Sequence, residues 1–172
     1  ADVLSLTEQM ARAADPDHAL FRARVRAHQG LGRHADAIAE SDRLVAAFPL
    51  DPSAHRVAIR ARFDGSGSPD TAVRQYLDAP DGLGRLSDPL AGEIVRAEAL
   101  EGIRDPAAAL AACRRAIDAG VPSDRAEDIA ALFDVLDSLS SYRTDASAPP
   151  AVLLASELLE RLVGRDDLSQ AS

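Results

Sequence analysis

The chain of 172 residues has no tryptophan, no lysine and no asparagine, and it has one cysteine. Aromatic residues amount to 3%, so any core must be built from Ala, Leu, Val and Ile. That length suits one domain able to bury a real core. A lone cysteine excludes an internal disulfide framework and suits a reducing compartment. No apolar run approaches the ~20 residues needed to cross a bilayer. The start, Ala1 to Gln9, is polar without basic charge, so no signal peptide is expected there. The expectation is a cytoplasmic protein. A start at Ala1 fits an excised domain or a removed initiator Met.

Positive charge is also scarce. The net charge is −9, and all 19 basic residues are Arg. Residues 1–62 carry nine Arg against eight acids, whereas residues 63–172 carry ten against twenty. This balance disfavours nucleic acid as a direct ligand and disfavours anionic membrane surfaces, since both need a basic field. Strand signals are missing too, with no alternating β-branched or aromatic run between turns.

What the sequence does have is repetition. Asp51-Pro52-Ser53-Ala54 aligns with Asp88-Pro89-Leu90-Ala91, and the match continues without a gap to Ala79 and Ala116. Gly30, Gly65 and Gly102 fall 35 and then 37 residues apart. A period of this length holding two helix-like stretches marks a helical solenoid, because one pair cannot bury its apolar stripe alone.

Punctuation places the helices. Asp51-Pro52, Ser68-Pro69, Asp88-Pro89 and Asp105-Pro106 each set a capping side chain before a proline. Proline at the first helical position loses no needed hydrogen bond, and Asp or Ser accepts from free amides. Gly30, Gly65, Gly102, Gly120 and Gly164 stand where helices should stop. Ser5-x-x-Glu8 is a capping-box pattern opening a short helix to about Ala13, before Asp15-Pro16. The predicted fold class is all-α: a short superhelical array of antiparallel helix pairs in one domain. The pairs cover about 17–47, 52–79, 88–119 and 124–163. The segment 80–87 reads as the longest loop between repeats, and Ser140 to Pro150 as a linker.

This pattern resembles the tetratricopeptide repeat in divergent form. Phe21 matches its large early residue, Gly32 its turn glycine, Ala37 the small residue where paired helices cross, and Pro49 its closing proline. Ala72 and Ala109 match the crossing alanine of the next two units. His28, His34 and Ser41 stand where that family has aromatics. The stretch Ala23 to Leu44 is also similar to the helical activation domain of actinobacterial pathway regulators. In those proteins a winged-helix DNA reader precedes the repeats. None precedes them in this sequence, so that likeness implies the fold before the function. The tetratricopeptide likeness implies a groove lined by first helices that holds a peptide.

No catalytic, metal or cofactor site is read from the residues. His18, His28, His34 and His55 show no metal-ligand spacing, and no cysteine cluster joins them. Gly82-Leu83-Gly84 lacks the Lys-Ser/Thr ending of a phosphate loop. Gly65-Ser66-Gly67-Ser68 links two helices, so it lacks the strand a nucleophile elbow requires, and Ser68 caps the second helix. Cys113 reads as a small core residue. Asp124, Glu127, Asp128, Asp134 and Asp137 lie mostly opposite Ile129, Leu132, Phe133, Leu136 and Leu139, which describes a solvated face.

The arginines form the main constellation. Arg22 and Arg26 are four apart in one first helix, and Arg56 and Arg60 are four apart at equivalent places in the next. Such pairs share a helix face. With Gln29 and Glu93 they outline a candidate groove for a protein or peptide bearing carboxylates, because Arg offers forked donors. The plainer alternatives are a solvated arginine face, or arginines paired with the chain's own acids. The last helix is apolar over a wide arc, from Val152 to Val163. It either closes the core or forms a homodimer or partner surface. Three functional readings follow: a non-catalytic interaction scaffold, a regulatory or effector-sensing segment of a larger transcriptional regulator, and an enzyme accessory domain.

Overall fold

Asp17, Asp51, Asp88 and Asp105 each turn a carboxylate back onto the first free amides of a helix. Asp17 accepts from Ala19 N at 2.8 Å and Asp51 from Ser53 N at 2.8 Å. Asp88 accepts from Leu90 N at 3.0 Å and Ala91 N at 3.2 Å, and Asp105 from Ala108 N at 3.0 Å. These caps satisfy donors that the helix cannot satisfy itself. Ser68 differs from expectation. It holds the cap position before Pro69, but its side chain makes no capping bond. Its backbone amide instead donates to Ser66 Oγ at 3.0 Å.

The structure is a computed structural model that describes residues 17–141 and 148–169, with side chains as far as 163. The short helix expected before Asp15-Pro16 lies outside the described residues. Among those described, eight α-helices occur and no strand. They are α1 His18–Gly30, α2 His34–Ala47, α3 Pro52–Gly65, α4 Pro69–Asp78, α5 Pro89–Gly102, α6 Pro106–Ala119, α7 Ala126–Ser141 and α8 Ala148–Ser169. The α-helices expected from the punctuation are what form, and they pack on one another within each of two units. Gly164 does not stop the last helix, which runs on to Ser169. A glycine inside a helix costs only about 1 kcal/mol relative to Ala, so neighbours can carry it.

Two compact units divide the chain, residues 1–87 and 88–172. In the first, α1 packs on α2 and on α3, α2 packs on α3, and α3 packs on α4. Val25, Ala37 and Ala61 form a core cluster there, with Ile38 and Val57 against it. Small residues let α1, α2 and α3 approach closely, and Ala37, Ala54 and Ala58 are wholly buried. Ala72 breaks the expected register. It is half-buried, while Val73 beside it is at 0% exposure. α4 turns Val73 into the core and leaves Ala72 on the wall of a cleft.

The stretch 80–87 is no open loop. Leu83–Arg85 forms a 3-10 turn against α4, and Leu83 and Leu86 are buried. Gly82 makes this approach possible. A Cβ there would lie 2.2 Å from the Tyr76 carbonyl oxygen, so only glycine fits.

In the second unit α5 pairs with α6 and α7 with α8, and α7 packs on both α5 and α6. Ala109, Cys113, Ile117, Leu132, Leu136 and Leu139 are buried at its centre. Burial pushes the Cys113 thiol up to about 12, which keeps it protonated and unreactive. α8 is apolar on two sides. Ala151, Leu154 and Leu158 are buried, whereas Val152, Leu153, Leu159 and Val163 remain exposed. One face of this helix therefore closes the core.

Candidate functional site

Because α1 and α3 lie side by side, arginines that share a face on each helix meet across the seam. Arg22, Arg26 and Gln29 of α1 and Arg56 and Arg60 of α3 line one cleft of about 230 Å³. Val25 and Val57 give it an apolar floor. The sixth residue singled out in the sequence, Glu93, belongs to α5 in the second unit. Its Oε2 lies 2.9 Å from Arg115 Nη2 of α6, within its own helix pair.

The two walls of the cleft are unequal. On α3, Arg60 Nε donates to Asp64 Oδ2 at 2.9 Å, and Gln29 Nε2 donates to the same oxygen at 3.1 Å. The Arg60 guanidinium also lies over the Phe63 ring at 5.6 Å. Arg56 has an interaction of its own within the protein. On α1, Arg22 and Arg26 have no ion-pair partner among the described residues.

At the opposite end from Asp64 stand Ser53, His18 and Asp51. His18 Nε2 is 3.0 Å from Asp51 Oδ2 and 3.0 Å from Ser53 Oγ, while Ser53 Oγ donates to Asp51 Oδ2 at 3.2 Å. These are the residue types of a hydrolytic triad, but one ring nitrogen faces both partners. A triad needs the carboxylate on one nitrogen and the nucleophile on the other. The cluster thus fixes the start of α3 and has no relay geometry.

A larger cleft of about 730 Å³ borders α2, α4 and the 80–87 turn. On its wall the Arg62 guanidinium stacks over the Tyr76 ring at 4.4 Å. Arg62 Nη2 donates to Asp42 Oδ1 at 2.6 Å and Nη1 to the Ala58 carbonyl at 3.1 Å. Behind it, His55 is wholly buried, with Nε2 2.9 Å from the Pro49 carbonyl and Nδ1 2.7 Å from Tyr76 Oη. A carbonyl only accepts, so Nε2 carries the proton and neutral Nδ1 accepts from the tyrosine hydroxyl. Burial lowers the affinity of His55 for a second proton, outweighing the Pro49 carbonyl that favours it. Burial likewise holds the Tyr76 hydroxyl well above its ordinary range.

Sequence reasoning missed this second group. Arg62, Asp42 and Tyr76 sit on three different helices, and no common spacing links them. His55 had no distinguishing local signal either, because the hydroxyl that meets its Nδ1 belongs to Tyr76 of α4. Among the described residues, no group of three or more His, Cys, Asp or Glu is placed to hold a metal ion. No helix among them is long and apolar enough to cross a membrane.

An all-α domain of stacked helix pairs, with a basic cleft between its first and third helices, is the class of protein these features define. The chain belongs to the family described as the bacterial transcriptional activator domain, which matches residues 2–93. The match spans the first unit and the opening residues of α5. Of the two likenesses in the sequence, it supports the one to the helical domain of regulators. No curated protein and no solved structure matches the chain.

Proposed function

We propose that this chain is the regulatory helical segment of a transcriptional regulator, and that it acts without catalysis by holding a partner protein. The arginine cleft is the observation that carries this reading. It gathers cationic side chains over an apolar floor within a protein of net charge −9. Such a site suits a carboxylate-bearing protein surface, because each guanidinium offers paired donors. The unsuitable arrangement at Ser53, His18 and Asp51 speaks for a binding role over an enzymatic one. The overall acidity speaks for protein partners over direct contact with DNA.

The test joins the chain to a heterologous DNA-binding domain and reads transcription from a reporter. The wild-type fusion should change reporter output relative to the DNA-binding domain alone. Replacing Arg22 and Arg56 with Ala should remove that change while helix content and melting stay the same. A wild-type fusion without effect, or retarded migration of duplex DNA by the chain alone, would count against the reading.

A further inference from the structure

We infer that the arginine cleft takes an acidic helical segment of a partner protein, gripped by Arg22 and Arg26, and that Asp64 competes for the cleft from within. This rests on the regulatory-segment reading above and adds the chemistry of the partner. The α3 wall is already engaged, since Asp64 holds Arg60 with help from Gln29 and Arg56 has its own interaction. The α1 wall presents two guanidiniums with no ion-pair partner among the described residues. Like charges crowded at one seam are unfavourable until something negative joins them.

The spacing says what fits. Arg22 and Arg26 are separated by four residues, about 6 Å along the helix axis. Two carboxylates four residues apart on a partner helix match that distance. An apolar side chain between them would reach Val25 and Val57. A phosphate backbone fits less well, because Asp51 and Asp64 stand at the two ends of α3. A continuous line of negative charge would meet repulsion at both.

Asp64 acts in this scheme as an internal stand-in for a partner's carboxylate. One oxygen, Oδ2, takes both the Arg60 and the Gln29 bond. Freeing Arg60 from it adds a third donor to the cleft.

The probe is a fluorescein-labelled, helix-stabilised peptide with two Glu four residues apart and one Leu between them on the same face. Its twin carries Gln at both Glu positions. The chain should bind the Glu peptide about tenfold or more tightly than the Gln twin, as expected for charge-assisted pairs. Binding should weaken in high salt, since exposed charges are screened over about 8 Å at physiological ionic strength. Arg22→Gln with Arg26→Gln should remove the preference for Glu. Asp64→Asn should tighten binding severalfold, with Asp64→Ser as a second variant should the first disturb folding by circular dichroism. Equal binding of the two peptides overturns the proposal, as does an Asp64 variant of native helicity with unchanged or weaker affinity. Sedimentation without peptide is the remaining arm. A dimer that Arg22→Gln and Arg26→Gln dissolve would make a second copy the occupant and overturn the assignment to a partner protein. An active reporter fusion beside failed peptide binding would sink this inference alone.

Discussion

The Tyr76 hydroxyl donates to His55 Nδ1 at 2.7 Å, and this bond ties α3 to α4 inside the first unit. It also fixes the ring as the neutral, Nε2-protonated form, since Pro49 supplies a carbonyl at the other nitrogen. Tyr76→Phe keeps the ring under Arg62 but leaves a buried acceptor unpaired. It should cost about 1–3 kcal/mol in urea denaturation.

The same pair makes stability depend on pH. His55 binds its proton more weakly when folded, so below the ordinary histidine value of 6.5 the unfolded chain takes up a proton that the folded chain refuses. The contribution is fully present above that value and is lost as pH falls toward the depressed folded one. The melting temperature should therefore drop on that descent. His55→Gln should flatten the drop across that window, and an unchanged slope would assign it to other groups.

Glu40 is 2% exposed and lies 3.0 Å from Arg24 Nη1 of α1 and 3.0 Å from Arg43 Nη1 of its own helix. Glu40→Ala strands the half-covered Arg24 and should cost about 3 kcal/mol. Replacing Glu40 and Arg24 together with Met should cost less than Glu40→Ala alone, because the one charge left without its partner, Arg43, is 66% exposed and stays solvated. Chemical denaturation of the three variants reads the difference directly.

Helix register is tested by alanines that look alike in the sequence. Ala37 and Ala109 have no exposed surface, so a leucine at either should overpack the core at about 1–3 kcal/mol. Ala72 borders the larger cleft, where a leucine has room. Ala72→Leu should melt within about 0.5 kcal/mol of the wild type, as surface changes do.

α8 offers a similar contrast within one helix. Leu158 is 1% exposed and Leu153 is 68% exposed. Leu158→Ala should destabilise by about 2–5 kcal/mol, and Leu153→Ala by no more than about 0.5 kcal/mol. Equal losses at the two positions would mean that the outer face is covered in solution.

Much of this protein was settled by sequence alone, for a local reason. A cap acts within three residues, a proline fixes its own φ, and an amphipathic stripe is read along one helix. Asp51-Pro52, Asp88-Pro89 and Asp105-Pro106 therefore announced three helix starts to within a residue. Gly32, with a φ of +67°, likewise announced its turn. The arginine pairs were legible because each lies on a single helix. Tertiary structure decided the rest, since it depends on how one helix is rotated against the next. Each residue turns the helix by about 100°, so a shift of one position moves a side chain from core to cleft. That is how Val73 took the place expected for Ala72, and how Gln29 of α1 came to share the Asp64 oxygen that Arg60 holds within α3. His55 followed the same rule: the Tyr76 hydroxyl at its Nδ1 arrives from α4, although the Pro49 carbonyl at its Nε2 stands in the turn just before its own helix.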